Sequence, residues 1–222
     1  MKRWFWWLLA AIALLGVACS FTSFLPSAKG EEQNTAPGVL FQDDFSNPKS
    51  GWDRVSNEQG SLTDYVDGRY RILVNDTQTD IWANPSKNFT GDIVVEVNAV
   101  KNSGPDDNDF GVICRYQDQN NYYGFLISSD GYAGIERILK GEQEFINSDK
   151  AMVPVDIPKG DGVTYHITAK CMDNHLVLFV NGKRIMDATD DTFQAGDVGL
   201  IAGTFDEKGA DILFDNLVVH RP

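Results

Sequence analysis

From Val39 to the C-terminus, short apolar runs alternate with polar residues, and Gly, Asn, Asp or Pro interrupts them every few positions. A period of two is the pleat of a β-strand with one face buried, whereas an amphipathic helix repeats every 3.6 residues. No convincing helical repeat occurs after Val39. The clearest stretch is 175–187, where two apolar runs flank Asn181-Gly182. That pair supplies positive φ at both centres of a type I′ turn and predicts an antiparallel hairpin.

The same reading predicts strands at 40–45, 62–66, 69–74, 80–83, 92–100, 110–117 and 122–128. It continues with 133–139, 144–146, 164–171, 175–180, 183–187, 198–202 and 211–219. So many short strands at this spacing imply an all-β, two-sheet antiparallel sandwich spanning residues 39–222. Alternation assigns faces. Ile93, Val95, Val97 and Ala99 share an apolar side, as do Tyr165, Ile167, Ala169 and Cys171. Phe110, Val112, Cys114 and Tyr116 form a third such row, opposite Gly111, Ile113, Arg115 and Gln117. Cys114 and Cys171 both fall on apolar faces, and an even pair in an exported chain reads as a disulfide across the core. The alternative is two buried thiols packing as small hydrophobes.

The N-terminus is of another kind. Lys2 and Arg3 precede an unbroken apolar run from Trp4 to Ala18, the pattern of a secretory signal peptide over residues 1–18. Leu15-Gly16-Val17-Ala18-Cys19 resembles a bacterial lipobox, which implies acylation of Cys19 and a membrane held through lipid. Gly16 stands where Leu is usual, with Leu15 one place earlier. Residues 19–38 then read as a flexible tether. The chain carries a net charge of −13, and loss of Lys2 and Arg3 with the leader takes it to −15. Such a surface excludes nucleic acid as a partner and fits neutral sugars or calcium.

Several strand-and-turn motifs occur along residues 39–222: Phe41-Gln-Asp-Asp-Phe45 with Gly51-Trp52, Asp109-Phe-Gly-Val-Ile-Cys-Arg-Tyr116, and Asn121-Tyr-Tyr-Gly-Phe125. Leu176 to Gly182, Gly196 to Leu200 and Phe214 to Val219 complete the set. Together they resemble the concanavalin A-like lectin/glucanase superfamily of jelly rolls, which includes laminin-G-like modules. The resemblance is nearest to the bacterial branch containing the 3-keto-disaccharide hydrolase domain. These motifs speak for fold. The resemblance implies pairing of the first and last strands and an exported, carbohydrate-related role.

Candidate chemistry is sparse. Retaining glycosidases need two carboxylates about 5–5.5 Å apart. Glu96 and Glu136 each stand alone in their strands, and the alternating Glu142 and Glu144 read, beside Gly141, as a turn and an exposed strand end. Glu96, Arg115 and Glu136 are charges within strands, suited either to forking hydrogen bonds to sugar hydroxyls or to ion pairs between strands. Trp82, Tyr122 and Tyr123 lie in or beside turns, where aromatic rings pack on sugar C–H faces. Trp52 reads as an edge plug of the sandwich. Asp43, Asp44 and Asp215 would approach through paired terminal strands and supply oxygens to a structural calcium ion. No other cofactor motif is present. These features imply an extracytoplasmic, lipid-anchored module that binds a polysaccharide, an oligosaccharide or an envelope partner without catalysis. A hydrolase or lyase of the 3-keto-disaccharide hydrolase type is the alternative, and a purely structural envelope module is a third.

Overall fold

The computed structural model describes residues 38–222, and every regular element among them is a strand. In chain order these are β1 (Val39–Asp43), β2 (Leu62–Val66), β3 (Arg69–Val74), β4 (Thr79–Ala83) and β5 (Phe89–Thr90). Next come β6 (Ile93–Ser103), β7 (Asn108–Asp118), β8 (Asn121–Ile127), β9 (Tyr132–Leu139), β10 (Glu142–Phe145) and β11 (Val153–Pro154). The chain ends with β12 (Thr164–Met172), β13 (His175–Val180), β14 (Lys183–Thr189), β15 (Ala195–Thr204) and β16 (Ala210–His220). The signal peptide, Cys19 and nearly all of the tether lie outside the described residues.

Two antiparallel sheets form the sandwich. The first runs β14-β13-β12-β6-β16-β3-β2, and the second runs β10-β9-β8-β7-β15-β4. β16 organises the first sheet: β6 pairs along one side, while β3 takes the first half of the other side and β1 the second. A bulge between Asp215 and Val218, with Asn216 at φ 53°, separates the two halves. First and last strands therefore pair, as the resemblance implies. The β13–β14 hairpin turns through Asn181 and Gly182 at φ 50° and 75°, the two positive values of a type I′ turn.

Between the sheets, Ile93, Val95, Val97 and Ala99 of β6 and Tyr165, Ile167 and Ala169 of β12 meet Phe110 and Val112 of β7 and Phe125 and Ile127 of β8. All are buried, and each large side chain so buried contributes about 1.5–3 kcal/mol. Trp52 joins this core, edge-on to Phe45 at 5.4 Å. Cys114 of β7 is disulfide-bonded to Cys171 of β12, so a covalent link crosses from one sheet to the other.

Sequence and structure differ at three kinds of place. β5 and β11 have two residues each, too few to show any alternation. β6, β7 and β15 extend past their alternating segments, because cross-strand hydrogen bonding continues into polar residues. β7 also changes face midway. Arg115 sits at φ 55° in a bulge, where the register with both β8 and β15 shifts. Its side chain therefore turns inward and is 1% exposed, while Tyr116 turns outward, the reverse of strict alternation.

The bridge closes a span of 57 residues, for which loop entropy gives a stabilisation on the order of 4 kcal/mol. A Cys114→Ser/Cys171→Ser variant is expected to lose about that much in urea denaturation, with reductant having no further effect on it.

Candidate ligand-binding face on the second sheet

The inward residues of the second sheet belong to the core, so their neighbours in sequence point to its other face. Those outward positions are Asp80 and Trp82 on β4, Ile201 and Gly203 on β15, and Asp109 and Ile113 on β7. Tyr122, Gly124 and Leu126 continue the face on β8, and Gly134, Glu136 and Ile138 on β9. This face is not a solvated polar surface. Ile113, Tyr122, Leu126, Ile138 and Ile201 form a second apolar cluster, with Trp82, Tyr116, Phe145 and Met152 packed against it.

An aromatic group stands at the β4 side. The Trp82 and Tyr122 rings lie 6.0 Å apart, and Tyr116 and Tyr122 lie 5.8 Å apart. The Trp82 indole N–H donates to the Tyr116 hydroxyl at 3.4 Å. Trp82 and Tyr116 line an open cavity of about 360 Å³ together with Val55, Ile81 and the polar Asp53, Ser56, Asn57, Ser61, Asp80 and Gln119. The cavity thus joins ring faces to carboxylate, amide and hydroxyl groups.

Beside it the face holds three carboxylates from three strands. Asp109 is 5% exposed and Glu136 fully buried, while Asp80 is half-buried at the cavity. Glycines make the room. A Cβ on Gly124 would meet Glu136 Oε1 at 2.5 Å, and one on Gly203 would collide with both Asp80 Oδ1 and Asp109 Oδ1. Asp109 Oδ1 and Glu136 Oε1 have no hydrogen-bond partner among the described residues. Glu136 Oε2 accepts from Gln143 Nε2 at 2.6 Å. Burial pushes the Glu136 carboxyl up to about 7; the Gln143 hydrogen bond opposes this and the charge of Asp80 adds to it. Burial also raises Asp109 well above the usual carboxylate range, with Asp80 and Glu136 as the nearest charges, and it raises Asp80. A carboxyl that keeps its proton up to about neutral pH is in the state from which a general acid starts, although of the three carboxylates only Asp80 lines the cavity.

The six candidate ligand residues therefore part company. Trp82, Tyr122 and Glu136 share this face. Glu96 belongs to the opposite face of the first sheet, between His166 Nε2 at 3.8 Å and His220 Nε2 at 3.6 Å. Tyr123 points into the core, donating to Asp190 Oδ1 at 2.5 Å and accepting from the Phe193 amide at 3.1 Å. Arg115 is a structural group rather than a ligand contact, because its bulge turns it inward. It donates to the carbonyls of Asp173 at 2.7 Å, Phe193 at 2.8 Å and Cys171 at 3.2 Å.

The calcium expectation does not fit these residues. Asp43 Oδ1 accepts from the Phe45 amide and Oδ2 from the Trp52 indole, so both oxygens serve the fold. Asp44 caps Ser46 on the surface, and no three His, Cys, Asp or Glu side chains among the described residues close on a single ion. Sequence reasoning missed Tyr116 and Asp80 and gave Asp109 no part in this face. Tyr116 was hidden by the bulge. The carboxylates were hidden because neither has an acidic partner two residues away in its strand, and their signal is the glycine across the ladder, Gly203 between Asp80 and Asp109.

No protein-family model matches the chain, and no curated protein does either. Solved structures do. The carbohydrate binding module CBM66 from Bacillus subtilis superposes with a TM-score of 0.57 at 16% identity, covering 77% of this chain and 95% of its own. A protein of unknown function with a galectin-like fold, also from Bacillus subtilis, gives 0.61 at 12% identity over 83% and 96%. The β-glucanase of Bacillus licheniformis gives 0.55 at 11% identity over 84% and 100%. The fold is that of the concanavalin A-like and galectin-like jelly rolls.

Two outcomes separate framework from face. Arg115→Ala is expected to cost about 3 kcal/mol or more in urea denaturation, since it leaves three carbonyls beside the disulfide without their donor. Glu136 binds its proton more tightly folded than unfolded, so its contribution to stability falls as pH rises from about 4.5 to about 7. Denaturation across that range should show wild type losing on the order of 3 kcal/mol more than Glu136→Gln.

Proposed function

We propose that the chain is an exported carbohydrate-binding module whose ligand lies on the outer face of the second sheet. The observation that carries this reading is the cavity lined both by Trp82 and Tyr116 and by the polar Asp53, Asn57, Ser61 and Asp80. A sugar presents C–H groups on its faces and hydroxyls on its edges. Ring walls take the first and carboxylate, amide and hydroxyl rims take the second. The carbohydrate binding module named above supports the reading through its fold. Export is supported by the disulfide and by the apolar N-terminal run; lipid anchoring at Cys19 is part of the same proposal.

One observation favours a second reading, hydrolysis. Asp80, Asp109 and Glu136 come together on the outer face of the second sheet from three strands, with Asp80 reaching the cavity, whereas the one alternating pair, Glu142 and Glu144, lies exposed on β10. In that reading Glu136, holding its proton near neutral pH, is the acid, and the more exposed Asp80 is the carboxylate that acts opposite it.

Titration of the full-length protein with a panel of neutral polysaccharides and oligosaccharides, followed by tryptophan fluorescence and calorimetry, tests both. Binding is expected to be saturable and to weaken at least tenfold in Trp82→Ala, equivalent to about 1.4 kcal/mol. Absence of any saturable signal across the panel sinks the carbohydrate reading. New reducing ends that disappear in Glu136→Gln and Asp80→Asn would establish the hydrolase instead.

A further inference from the structure

Only four large apolar side chains are exposed among the described residues: Leu40, Val55, Tyr132 and Phe205. Two of them, Tyr132 at 40% and Phe205 at 38% exposure, come together in a second cavity of about 410 Å³. Asp107, Asn108, Ser128, Asp130 and Met152 complete its lining. Met152 also packs against the apolar cluster of the second sheet, so this cavity adjoins the face described above.

Both charged groups that line the cavity are carboxylates. Asp107 and Asp130 make no ion pair among the described residues, nor do the neighbouring Asp206 and Glu207. Asp107 holds its proton more tightly than an ordinary carboxylate, first through burial and then through Asp130, Asp206 and Glu207. Lys159 lies over Gly131, beside Asp130, but makes no ion pair among the described residues. A compact metal ion is not what this arrangement suits, because no three carboxylates among the described residues close on one point. Ring faces beside carboxylates suit a larger organic cation, which gains from both the ring quadrupole and the ion pair.

We propose that the Tyr132–Phe205 cavity is a subsite for a positively charged amino sugar, so that the module prefers glycans bearing free amines to their acetylated or neutral counterparts. The inference rests on the carbohydrate reading and adds to it a site and a substrate class. One sugar ring lies against Phe205 and Tyr132, and its ammonium faces Asp107 and Asp130. The strongly negative chain favours the same ligands at long range.

The test uses the full-length protein and four ligands: a glucosamine hexamer, an N-acetylglucosamine hexamer, cellohexaose and a hexalysine peptide. Calorimetry at a pH where the amine is charged is expected to show the glucosamine hexamer binding at least tenfold more tightly than the other two sugars. The preference should fall to parity in Asp107→Asn/Asp130→Asn and shrink with added salt. Phe205→Ala should weaken the glucosamine hexamer, and Phe205→Tyr should retain it. All three positions lie at the rim of the fold, and thermal melts of each variant confirm that it is folded. Equal affinity for the two hexamers overturns the proposal, as does a preference that survives the double Asn variant. Hexalysine binding as tightly as the glucosamine hexamer also overturns it and points to a basic protein partner. Cellohexaose binding that is lost in Trp82→Ala reports on the first cavity alone, so the two readings fail separately.

Discussion

The bulge at Arg115 is where framework and site meet. A non-glycine residue at φ 55° costs about 1–2 kcal/mol, and that conformation persists only where its surroundings demand it. The demand is visible. Turned inward, the guanidinium gathers the carbonyls of Asp173, Phe193 and Cys171, all near the disulfide that joins the sheets. The same flip sends Tyr116 outward, where its hydroxyl meets the Trp82 indole. Were β7 to alternate strictly, Tyr116 would enter a filled core and the arginine would stand in the aromatic cavity. One backbone irregularity thus fixes the covalent seam on one side and the ligand wall on the other.

The outer face of the second sheet also shows how a sheet can hold charge away from water. Each acid faces a glycine on the adjoining strand, and the missing side chain is the volume that the carboxyl fills. The cost of burial appears as a raised proton affinity rather than as a compensating arginine. Buried groups left open in this way are uncommon in a framework, where polar atoms are nearly all partnered. Arg115 is as deeply buried, but its two terminal nitrogens serve three carbonyls and only its Nε lacks a partner.

Much of the architecture was legible beforehand. Strands such as 62–66, 69–74 and 175–180 coincide with the observed elements, since a half-buried strand must alternate and a tight turn must use Asn-Gly or its kin. Cys114 and Cys171 were readable as a pair for the same reason: both sat on faces that had to be buried. Trp82, Tyr122 and Glu136 were picked singly and fell on one face. Glu96, Tyr123 and Arg115 were picked on the same grounds and did not.

The difference is one of range. Local alternation decides whether a residue points in or out, so the sequence by itself determined the all-β class, most strand positions, the type I′ hairpin and the apolar faces. It carries no information on which strand lies beside which, and a single left-handed residue inverts its prediction from that point onward. The meeting of Asp80, Asp109 and Glu136 and the gathering of Tyr132 and Phe205 around one cavity depend on strands and loops distant in sequence. So does the separation of Glu96 onto the opposite sheet. Those placements follow from the order β9-β8-β7-β15-β4 and from the bulge in β7, which only the tertiary structure decided.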